Sequence, residues 1–237
     1  MTSPHLPPAS ATGPAVRLGE AAQGALRTVR VNLMWIGLTL LGLVVAGIAP
    51  ATVAAAEAHR AGRHGSPVAV ERVMWESFRR QLGPANLRML PLLVVQAGAA
   101  AMVWIVMGGG VPGTASAVVL AGLAVISLAW STLALALIVA VPRVREQELL
   151  VTWRLAVLLP GTVPGRFLGL VLALGAWTAL SAYLWPLALL AGASVPVQLA
   201  LALLGRRIEL LLEDIAAESR GARAAAARAG DGPGRGA

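Results

Sequence analysis

The sequence predicts an all-α, polytopic membrane protein, a transmembrane helical bundle of about five spans with an amphipathic cytoplasmic helix between spans one and two. Two observations carry this reading. Of the 237 residues 57% are hydrophobic and only 13% charged, against roughly 25% charged in soluble domains. The charge is also segregated: no Asp, Glu, Lys or Arg occurs between Arg30 and Glu57, Arg88 and Arg143, or Arg166 and Arg206, gaps of 26, 54 and 39 residues. A helix needs about 20 apolar residues to cross ~30 Å of hydrocarbon, so these gaps hold about one, two and two spans.

All 19 basic residues are Arg, which with the Ala, Gly and Val excess matches the usage of a GC-rich bacterial genome. The net charge of +8 does not indicate nucleic acid, because the arginines flank the apolar blocks in ones and twos, as at anionic lipid headgroups. The absence of Cys removes disulfides, thiolate metal sites and cysteine nucleophiles. The first apolar block is too long for a typical signal peptide and follows a Pro/Ala/Ser stretch, so a cleavable leader is not expected.

Residues 1–30 form a disordered tail (1–13) and a short interfacial segment. The first span is expected at 31–48, closed by Pro50, which lacks a backbone donor and disfavours helix in the residue before it. In the polar stretch that follows, Ser66-Pro67 reads as a helix start. Val70, Met74, Phe78 and Leu82 recur every four residues until Gly83-Pro84 stops the pattern. On the other side Arg72, Glu76 and Arg80 form an i,i+4 ladder, and Trp75 is an interfacial anchor.

The second span, 89–107, and the third, 115–141, are joined by the turn Gly108–Gly113. Small residues at Ala117, Ala121, Ala124 and Ser131 let the third span approach a neighbour closely. The last gap divides into spans at 163–183 and 187–204, turning at Trp185-Pro186. A five-span membrane domain over 31–206 places the first loop, the second loop and the tail on one side, with six, four and six arginines. That side is the cytoplasm by the positive-inside rule, which puts the C-terminus inside and the N-terminus, with Arg17, Arg27 and Arg30, outside the bacterial plasma membrane. Ile208, Leu211, Leu212 and Ile215 extend a helical stripe through a cytoplasmic extension, 207–219, before a disordered Ala/Arg/Gly tail, 220–237.

Ionisable residues inside a membrane mark proton relays and ion sites, and none lies in the three gaps. Interhelical hydrogen bonding is the expected use of Gln96, Ser127, Ser131, Thr132, Thr178, Ser181 and Gln198. His59 and His64, near Glu57, lack the fixed spacing of a helical metal site. With Asp only at 214 and 231 and no Lys, neither an Asp-rich phosphotransfer motif nor a phosphate-binding loop can be built. No catalytic, cofactor or metal residue is assigned, and no enzyme activity is expected.

Nine positions carry a resemblance: Asn32 and Trp35 in the first span, Pro50-Ala51-Thr52 after it, Phe78-Arg79-Arg80 in the basic helix and Asn86 before the second span. Over Val31–Leu93 the chain resembles the YesL-like family of small bacterial membrane proteins, with Ala49 in place of the glycine of a Gly-Pro-Ala-Thr motif. The resemblance implies about five helices and an association with carbohydrate uptake. The expected role is therefore a non-enzymatic accessory or permease-like component beside carbohydrate transporter subunits, the alternative being a structural, assembly or envelope-sensing protein. The Phe78–Arg88 helix is the expected docking surface, so that Phe78→Glu would abolish association while leaving the spans inserted.

Overall fold

The computed structural model describes residues 14–63, 69–162, 164–205, 207–214, 217–218 and 220–221, and within them every regular element is helical. The membrane-helix reading holds. Among the described residues three helices are long and apolar enough to cross a membrane, or up to four if one bent pair acts as a single span.

The first expected span is not one helix. A helix α1, Pro14–Leu41, runs straight through the interfacial segment into the apolar block, and α2, Val45–Arg63, starts after a three-residue break. The chain reverses there: Trp35 Nε1 donates to Thr52 Oγ1 at 3.0 Å, and Arg27 Nη2 donates to the carbonyl of Ala58. The reversal is a Schellman cap. Leu43 sits in the left-handed region at φ 57°, its N–H reaches the Leu40 carbonyl at 3.0 Å, and the Val44 N–H reaches that of Thr39 at 2.8 Å.

Gly42 and Gly47 let the two helices meet backbone to backbone, since a Cβ on Gly42 would strike Gly47 and one on Gly47 would strike Thr39. Gly47→Val should therefore splay the hairpin at a cost of about 2–3 kcal/mol, seen as a lower unfolding temperature in detergent. Pro50 lies inside α2 and ends nothing.

The expected basic helix and second span are also a single element, α3, Val70–Met107. Its 38 residues extend ~57 Å at 1.5 Å per residue, nearly twice the hydrocarbon thickness. Gly83-Pro84 does not stop it, because the buried stripe Met74, Phe78, Ala85 and Met89 continues across the break. That burial outweighs the ~3 kcal/mol helix penalty of an internal proline. The helix starts at Val70, with Ala69 before it; the Ser66-Pro67 start falls outside the described residues.

The turn at Gly108–Gly113, with Gly109 and Gly113 at positive φ, leads to α4, Thr114–Ala140. The face bearing Ala117, Ala121, Ala124 and Ser131 is the less exposed one, and Gln96 of α3 crosses to Thr132 of α4 at 2.7 Å. Two short helices, α5 (Pro142–Arg145) and α6 (Leu149–Leu158), precede α7, Pro164–Tyr183.

The fifth expected span is broken. It consists of α8, Trp185–Ala191, and α9, Ser194–Ala200, the latter continuing through a π-helical turn, Leu201–Gly205. The two arms of this pair, Trp185–Ala191 and Ser194–Asp214, meet at 65°. Helix continues over 207–214, with Ile208 fully buried and Glu213 paired to Arg143 at 2.8 Å. The expected tails at 1–13 and 222–237, and Ile215, lie outside the described residues.

The main core gathers Leu137 and Ile138 in the second half of α4 and Val144 of α5 with Phe167, Leu170, Leu204 and Ile208. A second core joins the hairpin to the first half of α3 through Val31, Ala51, Ala55, Met74 and Phe78.

Candidate functional site: the polar seams of the hairpin

The hairpin is held by side chains that replace missing backbone partners. Pro50 has no N–H, so the Ala46 carbonyl one turn earlier has no helical donor. Asn86 of α3 fills the place: its Nδ2 donates to Ala46 O at 2.8 Å and to Leu82 O at 2.7 Å. Asn86→Ala should cost about 1–2 kcal/mol by leaving that carbonyl unpaired, and Pro50→Ala, which restores an N–H, should recover part of the loss. Additive effects of the two substitutions on unfolding would contradict the coupling.

Asn32 of α1 performs a similar task at the break between α8 and α9. Its side chain is 1% exposed. Nδ2 donates to Leu189 O at 2.6 Å, while Oδ1 accepts from the N–H groups of Ala193 at 2.8 Å and Ser194 at 3.3 Å. One amide thus terminates α8 and starts α9, serving the unpaired backbone groups of both ends. One turn earlier, Thr28 accepts from Ser194 Oγ through its carbonyl and from Gln198 Nε2 through its hydroxyl, at 3.0 and 2.9 Å.

At the charged end of α2, Glu57 joins three elements. Its carboxylate accepts from Arg80 of α3 at 2.9 Å and Arg145 of α5 at 2.8 Å. Only 5% of the Arg145 side chain is exposed. Burial pulls its guanidinium below the usual arginine range, against the opposing pull of Glu57 and Glu146. Arg60 caps the C-terminus of α4, donating to the carbonyls of Val139 and Ala140 at 2.7 and 2.9 Å. Arg88 Nη2 reaches Gln147 O, and Trp153 Nε1 reaches the Arg88 carbonyl, tying α3 to α6.

Two cavities adjoin these seams. One of about 250 Å³ is lined by Gly24, Arg27, Thr28, His59, Gln198 and Ala202. The other, about 150 Å³, is apolar and lies between Ile48, Met89, Leu135, Leu174 and Val197, with Gln96 and Thr132 at its wall. Those two polar groups bond to each other. No group of three or more His, Asp or Glu that could hold a metal ion forms among the described residues.

Eight of the nine motif positions therefore sit in the hairpin seams: Asn32, Trp35, Pro50, Ala51, Thr52, Phe78, Arg80 and Asn86. Arg79 points outward. Phe78 is 3% exposed, so it is a core residue and not a docking side chain, and Phe78→Glu would bury a carboxylate and loosen the hairpin. Trp75, 41% exposed, stacks on Phe78 at 6.4 Å between ring centres. Arg80 leaves the expected ladder with Glu76 for Glu57; Arg72 keeps Glu76 at 2.8 Å.

Sequence reasoning did not single out Arg145, Gly42 or Gly47. Glu57, as the one acid between Asn32 and Glu71, was the available signal for a buried pair.

Residues 28–111 match the model of a family described as "Protein of unknown function, DUF624". The matched segment includes all nine motif positions, α1 from residue 28 onward, and the whole of α2 and α3. No curated protein and no solved structure matches the chain.

Proposed function

We propose that the chain is a non-enzymatic accessory protein of the bacterial plasma membrane that serves a carbohydrate uptake system by holding partner subunits, and that it carries no substrate itself. The observation behind this reading is the use made of polar groups between helices. Asn32, Thr52, Asn86, Gln96, Thr132 and Gln198 are each engaged with a side chain or backbone group of a neighbouring helix. A carrier needs midplane polar groups and open helix ends that exchange their partners for substrate. Here the open ends at the α8–α9 break are occupied by Asn32. The carbohydrate context comes from the YesL-like resemblance alone.

The positive-inside rule favours a cytoplasmic side that holds α5, α6 and the helix over 207–214. The five-span arrangement with an external N-terminus requires Val31–Ile48 to cross as one helix. On the cytoplasmic side the outer face of α3 presents Trp75 and Arg79, and this face is the partner surface we favour.

The experiment is purification of the tagged protein from its native membrane in mild detergent, with mass spectrometry of what stays bound. Recovery of an importer permease or ATPase, lost in a Trp75→Ala, Arg79→Glu variant that still folds, is the expected result. Recovery of this chain alone would count against the accessory role and favour a structural or assembly function.

A further inference from the structure

We propose that α1 and α2 form a re-entrant hairpin that enters the bilayer from the arginine-rich side, turns within the hydrocarbon and returns to the same side without crossing. Four observations carry it, none of which depends on the function proposed above.

The first is depth. Val45 and Ile48, at the tip, share a groove with Leu90, Leu93 and Ala97, in the apolar half of α3. Ten further residues of α3, to Met107, continue past that level, which is ~15 Å of helix. The base lies beside the charged half of α3, where Arg30 meets Glu71 at 3.0 Å and Glu57 meets Arg80. From Arg30 to Leu41 is eleven residues, or ~17 Å, about half the ~30 Å hydrocarbon core.

The second is the surface of the tip. Leu40, Leu41, Leu43 and Val45 are 62%, 61%, 85% and 64% exposed, and no polar side chain interrupts Leu40–Ile48.

The third is backbone satisfaction. Inside hydrocarbon an open N–H costs several kcal/mol. The N–H groups of Gly42, Leu43, Val44, Val45, Gly47 and Ile48 all donate within the turn, and the Ala46 carbonyl that Pro50 cannot serve is taken by Asn86.

The fourth is the choice of residue. Leu43 and Val44 occupy left-handed conformations at φ 57° and 62°, where glycine or asparagine is preferred and a β-branched residue is rare. A water-facing turn has no reason to accept that strain. A turn immersed in lipid gains by placing large apolar side chains outward.

The hairpin also resolves a conflict in charge. An external N-terminus would leave Arg27 and Arg30 on the side opposite the other arginines. Re-entry places them with Arg60, Arg80, Arg145 and Arg143, in agreement with the positive-inside rule.

The chain has no Cys, so single reporters can be introduced into the full protein at Ala21, Leu43, Ala69 and Thr114, each checked for unchanged unfolding. In intact cells an impermeant maleimide should label Thr114→Cys only. Ala21→Cys and Ala69→Cys should react once the membrane is opened, and Leu43→Cys should react in neither case. A fluorophore on Leu43→Cys in vesicles of phosphatidylglycerol and phosphatidylethanolamine should be quenched several-fold by brominated acyl chains. Labelling of Ala21→Cys and Ala69→Cys from opposite sides would show a crossing helix and overturn the proposal. So would rapid labelling of Leu43→Cys in the opened membrane, which would put the tip in water.

Discussion

Glu57→Gln is expected to destabilise the protein by about 3 kcal/mol, because it removes the partner of a buried arginine while leaving the arginine in place. Breaking a buried pair from one side costs about 3–5 kcal/mol, and the residual exposure of Glu57, 19% of its side chain, argues for the lower end. Arg80, 66% exposed, adds little, since exposed pairs are worth under about 1 kcal/mol. The cost therefore belongs to Arg145. Arg145→Met should be harmful alone, but the double variant Glu57→Gln, Arg145→Met should be less harmful than the sum of the two. Unfolding of the four proteins in mixed micelles measures the coupling, and strict additivity would refute a shared buried pair. The consequence is structural: Glu57 is where α2, α3 and α5 meet, so its loss should release the base of the hairpin from the bundle.

Asn32→Leu should cost about 2–4 kcal/mol although the side chain keeps its size and the site is buried. Three backbone groups lose their partner, the carbonyl of Leu189 and the N–H groups of Ala193 and Ser194, and each buried group left open costs about 1–3 kcal/mol, with partial relief as the break relaxes. Hydrogen exchange localises the effect. Faster exchange at Ala193 and Ser194, with α4 unchanged, is the expected pattern; uniform loss of protection would mean that Asn32 supports the whole bundle and not the α8–α9 break.

The two predictions concern residues whose importance was visible to different degrees. Asn32 stood out as a polar residue in an apolar run that resembles a family motif, but nothing nearby in the chain shows its partners, which lie about 160 positions away. Glu57 read as one charge among many in a polar stretch, because its partner Arg145 is 88 positions distant.

The membrane class and the ends of two long apolar helices were determined by the sequence itself. The expected 115–141 and 163–183 lie within one residue of the helices Thr114–Ala140 and Pro164–Tyr183. A charge-free run of the right length is a local property, and hydrocarbon thickness reads it directly. The hairpin was decided only by tertiary structure. A run from Val31 to Ile48 without a charge satisfies the same length criterion, and the turn inside it lacks a glycine at its left-handed position. Local rules also stopped helices at Pro50 and at Gly83-Pro84, where the structure continues them. In the first case a side chain from α3 supplies the hydrogen bond that proline lacks, and in the second a continuous buried stripe outweighs the local penalty. The physical reason is the same in both: backbone satisfaction and burial are settled by whichever group is nearest in space, and the sequence orders residues only along the chain.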